Sequence, residues 1–212
     1  MTAQNEEYGR HNVFSDSGYF ESTEATERNL VTDDDDDDDY APARPSTRWH
    51  GGLDFGLLIL RLALGGTLGV HGLQKVFGLF GGPGVNEFAR QLGEQGFANQ
   101  TTLVSWLGGL AEVAGGGLLV LGLFTPSAAA TLLSVTAMSV YLTYRNGYFL
   151  GAGTGYEYHL VLAAMALGLL FTGPGRISLD VNTPWRRNPV PFAFLGLVLA
   201  VGAVAVVIFV FR

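Results

Sequence analysis

Beyond Gly51 the chain is a succession of apolar runs, most of them long enough to cross a bilayer and nearly all poor in charge. A soluble domain would need polar faces on these segments, and they have almost none. The first span covers residues 54–74, roughly 30 Å as a helix, and Arg61 is its single interior formal charge. The second covers residues 103–124, with Glu112 near its middle, and the Thr125-Pro126 pair turns the chain into a third that ends at about Tyr144. The fourth, residues 158–172, is near 22 Å long at ~1.5 Å per residue, so neighbours must shield it or its flanks extend it; taken alone it also fits a re-entrant segment. Residues 191–211 form a last span without one polar side chain.

Between Phe77 and Thr102 the polarity rises, and Pro83 followed by Val85, Phe88, Ala89 and Leu92 on one face predicts a short amphipathic helix near residues 83–93, lying in the interface. The expectation is an all-α membrane protein. Residues 51–182 form a four-helix transmembrane bundle, and residues 183–212 form a connector and a fifth, C-terminal transmembrane helix.

Residues 1–50 obey different physics. They hold four arginines against thirteen carboxylates, including the consecutive Asp33, Asp34, Asp35, Asp36, Asp37, Asp38 and Asp39, whose mutual repulsion favours an extended, solvated chain. The reading is a disordered acidic tail, or an acidic arm that docks on a basic partner surface with help from Tyr8, Phe14, Tyr19, Phe20 and Tyr40. Pro42 and Pro45 then form a stiff connector to Trp49, a candidate interfacial anchor. The remaining residues carry eight basic and six acidic side chains, so the acidity of the chain belongs to the tail. A soluble portion this acidic excludes nucleic acid as a partner.

With no cysteine, the chain supplies no disulfide, thiolate metal site or thiol redox chemistry. The N-terminus has neither a basic n-region nor an apolar h-region, which predicts insertion through the internal helices. Positive charge orients such a protein. With five spans, Arg44, Arg48, Arg176, Arg186 and Arg187 share the N-terminal side, and Lys75, Arg90, Arg145 and Arg212 share the other. That bias, together with the difficulty of translocating seven aspartates, places the N-terminus in the cytoplasm and the C-terminus outside.

Ionisable side chains inside a bilayer cost several kcal/mol unless paired or hydrated, so each one is a functional candidate. By depth along the spans, Glu112 can reach Arg61 or His71; an Arg61–Glu112 pair would fix how the first two helices face each other, or form a proton or ligand site. A second group gathers at the opposite membrane face: His71, Gln74 and Lys75 end the first span, Arg145 ends the third, and Glu157 and His159 open the fourth. Snorkelling explains such a cluster; as a site, it would be a polar mouth for a quinone headgroup or a small anion. No metal site is expected. Gly196 and Ala200 give the last helix a small-residue face that permits close approach of a partner helix.

Four patterns lie in order along the chain: Arg61-Leu-Ala-Leu-Gly65 running into His71-Gly-Leu-Gln-Lys75, Glu112-Val-Ala-Gly-Gly116 running to Gly122-Leu-Phe-Thr-Pro126, Glu157-Tyr-His-Leu160, and Gly173-Pro-Gly-Arg-Ile-Ser-Leu-Asp180. Together they resemble the DoxX family of bacterial membrane proteins over residues 53–182. The resemblance implies a four-helix bundle in a bacterial plasma membrane, with Arg61, His71, Lys75, Glu112, Glu157 and Asp180 on motif positions. It also implies an association with quinone-linked oxidoreductases, or with accessory subunits of actinobacterial respiratory supercomplexes of the cytochrome bc1–aa3 type.

The acidic tail and the fifth span depart from the family core, and both are interaction-type additions. They favour a non-catalytic accessory or assembly subunit whose partners are other membrane subunits, of the cytochrome bc1 and cytochrome c oxidase assembly, and lipid. No cofactor is required by that reading. A quinone-interacting subunit is the alternative, and a small-solute transporter a third.

Overall fold

The computed structural model describes residues 51–149, 155–180 and 183–212. The acidic tail, with its aspartate run, lies outside the described residues. Among the described residues the chain forms seven α-helices and no strand: α1 (Gly51–Phe77), α2 (Gly84–Glu94), α3 (Thr101–Leu121), α4 (Thr125–Thr143), α5 (Glu157–Thr172), α6 (Pro184–Arg187) and α7 (Pro189–Phe211). Four of them, α1, α3, α4 and α7, are long and apolar enough to cross a membrane, and α5 is a shorter apolar helix of 16 residues. The end of the bundle at which α1 begins is called proximal below, and the end at which it stops is called distal.

Glycine sets the first and closest packing. On α1, Arg61, Gly65, Gly72 and Val76 recur at helical spacing along one stripe, which lies against α3 with Arg61, Gly65, Gly72 and Val76 all buried. A Cβ built on Gly72 would fall 2.7 Å from both the Gly109 carbonyl oxygen and the Val113 nitrogen, and one on Gly116 would fall 2.5 Å from the Gly65 oxygen. No side chain fits there. Apolar helices gain nothing from leaving water inside a bilayer, so this close backbone approach is what dispersion needs to hold α1 to α3.

Leucine and alanine fill the rest. Leu64 and Leu68 of α1, Leu119 of α3, Ala128, Ala129 and Leu132 of α4, and Ala166, Leu169 and Leu170 of α5 form one buried cluster. The lipid-facing surfaces remain apolar, as on α7, where Phe194, Val198, Val201 and Phe209 are exposed. The amphipathic segment forms α2 and buries Ala89 and Leu92 against the distal part of the bundle.

The small-residue face of α7 goes inward. Ala193, Gly196 and Ala200 are buried, and a Cβ on Gly196 would meet Leu170 at 3.0 Å and Ala130 at 3.2 Å. Gly196 and Ala200, expected to receive a partner helix, are therefore occupied by α4 and α5 of the same chain. The same chemistry permits both uses; adjacency in sequence favours the internal one.

Candidate functional site

At the proximal end, three ionisable residues hold one loop. Arg61, 1% exposed, donates to the Pro174 carbonyl at 2.9 Å and to the Ile177 carbonyl at 2.5 Å. Asp54, about two turns earlier on α1, accepts the Arg176 amide at 2.6 Å. Asp180 closes the same loop onto α4, whose first turn has no capping side chain of its own. Its carboxylate accepts the amides of Phe124 and Thr125 at 3.1 Å each, the Thr125 hydroxyl at 3.2 Å and the Trp185 indole N–H at 3.0 Å. The loop thus caps α4 from a distant part of the chain, which supplies acceptors to orphan helix donors and places negative charge at the positive end of the helix dipole.

Phe124 is held there in the left-handed region, at φ 47°, ψ 42°. Gly122 (φ 67°) precedes it, and the Arg61 guanidinium fills the space that a side chain at 122 would need. Asp180→Ala is therefore expected to destabilise the bundle by about 2–4 kcal/mol, by stranding buried donors beside an uncompensated arginine. Unfolding in mild detergent measures it, and a midpoint within error of wild type would remove the capping role.

The Arg61–Glu112 pair expected from depth along the spans does not form. Glu112, 1% exposed, instead accepts from Lys75 Nζ at 2.5 Å. The reason is register. Gly72 lies against the Glu112 Cβ, so Lys75, three residues further along α1, stands beside the carboxylate, while Arg61 falls level with Gly122, at the end of α3. The α1 helix begins at Gly51, well past the α3 terminus, and its extra turns pack on the proximal loop.

Lys75, Glu112 and His159 line a cavity of about 590 Å³ between α3, α4 and α7, whose remaining wall is mostly apolar, with Leu107, Met138, Val204 and Phe211 among its side chains. Glu112 Oε2 and His159 Nδ1 are buried and make no hydrogen bond to a described residue. The rest of the expected mouth divides. His71 stands edge-on to Tyr158, with ring centroids 6.3 Å apart, and Tyr158 in turn meets His159 at 5.6 Å. Gln74 packs beneath the turn at Gly82, Glu157 opens α5 with its amide on the Tyr148 carbonyl at 3.1 Å, and Arg145 bonds Tyr144 on the exposed surface. Arg145 is thereby separated from the cavity, because the 3-10 turn after α4 carries it outward. Among the described residues no group of three or more histidines and carboxylates could hold a metal ion.

Hydropathy alone does not reveal the α4 wall of this cavity. Thr131, Ser134, Ser139 and Thr143 line the cavity or its edge, and each hydroxyl donates to a carbonyl of its own helix. Their three-to-five-residue spacing on an otherwise apolar span was the available signal. A hydroxyl stripe on a membrane helix faces polar neighbours or a cavity more readily than lipid.

Comparison with known proteins bears on the bundle alone. A DoxX family domain is found at residues 56–145, from the second turn of α1 to just past the end of α4. No curated protein and no solved structure matches the chain.

Proposed function

Taking the DoxX family domain and its membrane-crossing helices as premise, we propose that the protein is a non-catalytic accessory subunit of a respiratory membrane complex of the cytochrome bc1–aa3 type. It sits in a bacterial plasma membrane with its N-terminus in the cytoplasm and its C-terminus outside. The observation that carries this reading is the employment of the buried charges. Arg61, Asp54 and Asp180 bind a loop, and Lys75 binds Glu112, so the side chains most suited to chemistry or transport are engaged in holding the bundle together. What reaches a partner is then the appended acidic run, Asp33 to Asp39, and the apolar outer surface of the helices.

The test is purification in mild detergent with and without residues 1–40. Deletion should leave the unfolding midpoint of the bundle unchanged and reduce recovery of co-purifying oxidase or quinol-oxidising subunits by about tenfold at moderate salt, as expected for charge-steered docking screened over ~10 Å. Undiminished recovery would sink the docking role of the tail. A bundle that no longer folds would make the tail structural.

The distal cavity favours a second reading, a quinone-interacting subunit of a membrane oxidoreductase. Its apolar walls suit a hydrocarbon chain, and Glu112 Oε2 and His159 Nδ1 suit a polar head.

A further inference from the structure

The distal cavity has a neighbour that shares part of its lining. A second groove, of about 440 Å³, runs between α4 and α7 toward the proximal end, past Pro126, Phe192 and Leu195 to Trp185. Both spaces are lined by Thr131, Ser134 and Ala203, so together they follow the α4–α7 seam from one end of the bundle to the other. From Thr143 to Pro126 the seam extends about 25 Å at ~1.5 Å per residue, the length of an extended long alkyl or isoprenoid chain. Its polar groups are concentrated at the distal end.

There the charge is already matched. Lys75 is paired with Glu112, so an anionic head finds an adjacent carboxylate and a cationic head finds an ammonium. The free oxygen of that carboxylate, in a residue 1% exposed, accepts and cannot donate. It is satisfied by an uncharged O–H group. His159 Nδ1, buried on the α5 side, offers a second hydrogen-bonding atom to the same head. We propose that the α4–α7 seam binds a long-chain amphiphile with an uncharged, hydroxyl-bearing head, which donates a hydrogen bond to Glu112 Oε2 while its chain lies along Ser134, Ala203 and Leu199. A prenylated hydroquinone and a monoacylglycerol share this chemistry. The inference deepens the quinone-interacting reading, yet it can hold where that reading fails.

The experiment measures binding of four probes to the full chain in nanodiscs: decyl hydroquinone, decyl quinone, monolaurin and laurate. Hydroxyl-headed probes should bind at least about tenfold more tightly than laurate, equivalent to ~1.4 kcal/mol. Ala203→Phe, which fills the seam without touching Lys75 or Glu112, should reduce their binding by a similar factor. A diazirine in the chain of the hydroquinone should label α4 and α7 of the wild-type protein, which keeps the idea testable should the variant misfold. Laurate binding equally well, labelling away from α4 and α7, or no binding of any probe would overturn the proposal. Tighter hydroquinone than monolaurin supports the quinone-interacting reading as well. The reverse order keeps the seam as a lipid site and removes that reading.

Discussion

Gly72→Leu should prevent assembly of the bundle, whereas Gly66→Leu on the same helix should be tolerated. A side chain at 72 meets the backbone of α3, the Gly109 oxygen and the Val113 nitrogen at 2.7 Å from its first carbon, and backbone cannot rotate away as a side chain can. The two helices would have to separate, losing the dispersion along their whole contact and pulling Lys75 from Glu112. The cost exceeds about 4 kcal/mol, against total stabilities of roughly 5–15 kcal/mol. At Gly66 a Cβ has nothing within 4 Å. Recovery of folded protein in mild detergent, with unfolding midpoints of the survivors, distinguishes the two; equal recovery would mean that glycine does not set the α1–α3 distance.

The second large effect is asymmetric. Lys75→Met strands the Glu112 carboxylate in a site 2% exposed at the side chain and is expected to cost about 3–5 kcal/mol. Glu112→Gln leaves an ammonium that is 26% exposed and can turn to water, so its cost should stay near 1–2 kcal/mol. The double replacement should cost less than the sum, with a coupling of about 2 kcal/mol. By contrast, Arg61→Leu and Glu112→Gln should be additive, since each has its own partners. A double-mutant cycle on each pair decides the matter: additivity for Lys75 with Glu112 would dissolve the pair, and strong coupling of Arg61 to Glu112 would restore the partner expected from the sequence.

That contrast shows which part of the fold hydropathy can reveal. The spans were legible because apolar length is a property of each segment by itself. The amphipathic helix was legible for the same reason, its apolar face being written into residues 85–92. The partner of Glu112 was not, because counting residues from the span ends assumes that α1 and α3 enter the membrane at the same level. Their register is set by Gly65, Gly72, Gly109 and Gly116, and it slides α1 past the end of α3. Small-residue faces have a similar ambiguity. Gly196 and Ala200 announce close approach without saying to what, and only the packed neighbours, Ala130 and Leu170, reveal that it is internal. Asp180 was recognised as a motif position, but nothing in the sequence tied it to Phe124 and Thr125, 56 and 55 residues earlier.

The proximal loop also imposes a timetable on biosynthesis. Arg61 finds its two acceptors 113 and 116 residues downstream, and Asp54 its amide 122 residues downstream. At synthesis rates of roughly 5–20 residues per second, the first helix must wait about 6–23 s before the chain that satisfies its guanidinium has been made. Throughout that interval the arginine has to be kept in water or at the headgroups, so α1 cannot settle at its final depth when it first leaves the ribosome. Closure of the loop then both satisfies the guanidinium with two carbonyl acceptors and fixes the start of α4, which makes the arrival of residues 174–180 the step that commits the earlier helices to their places.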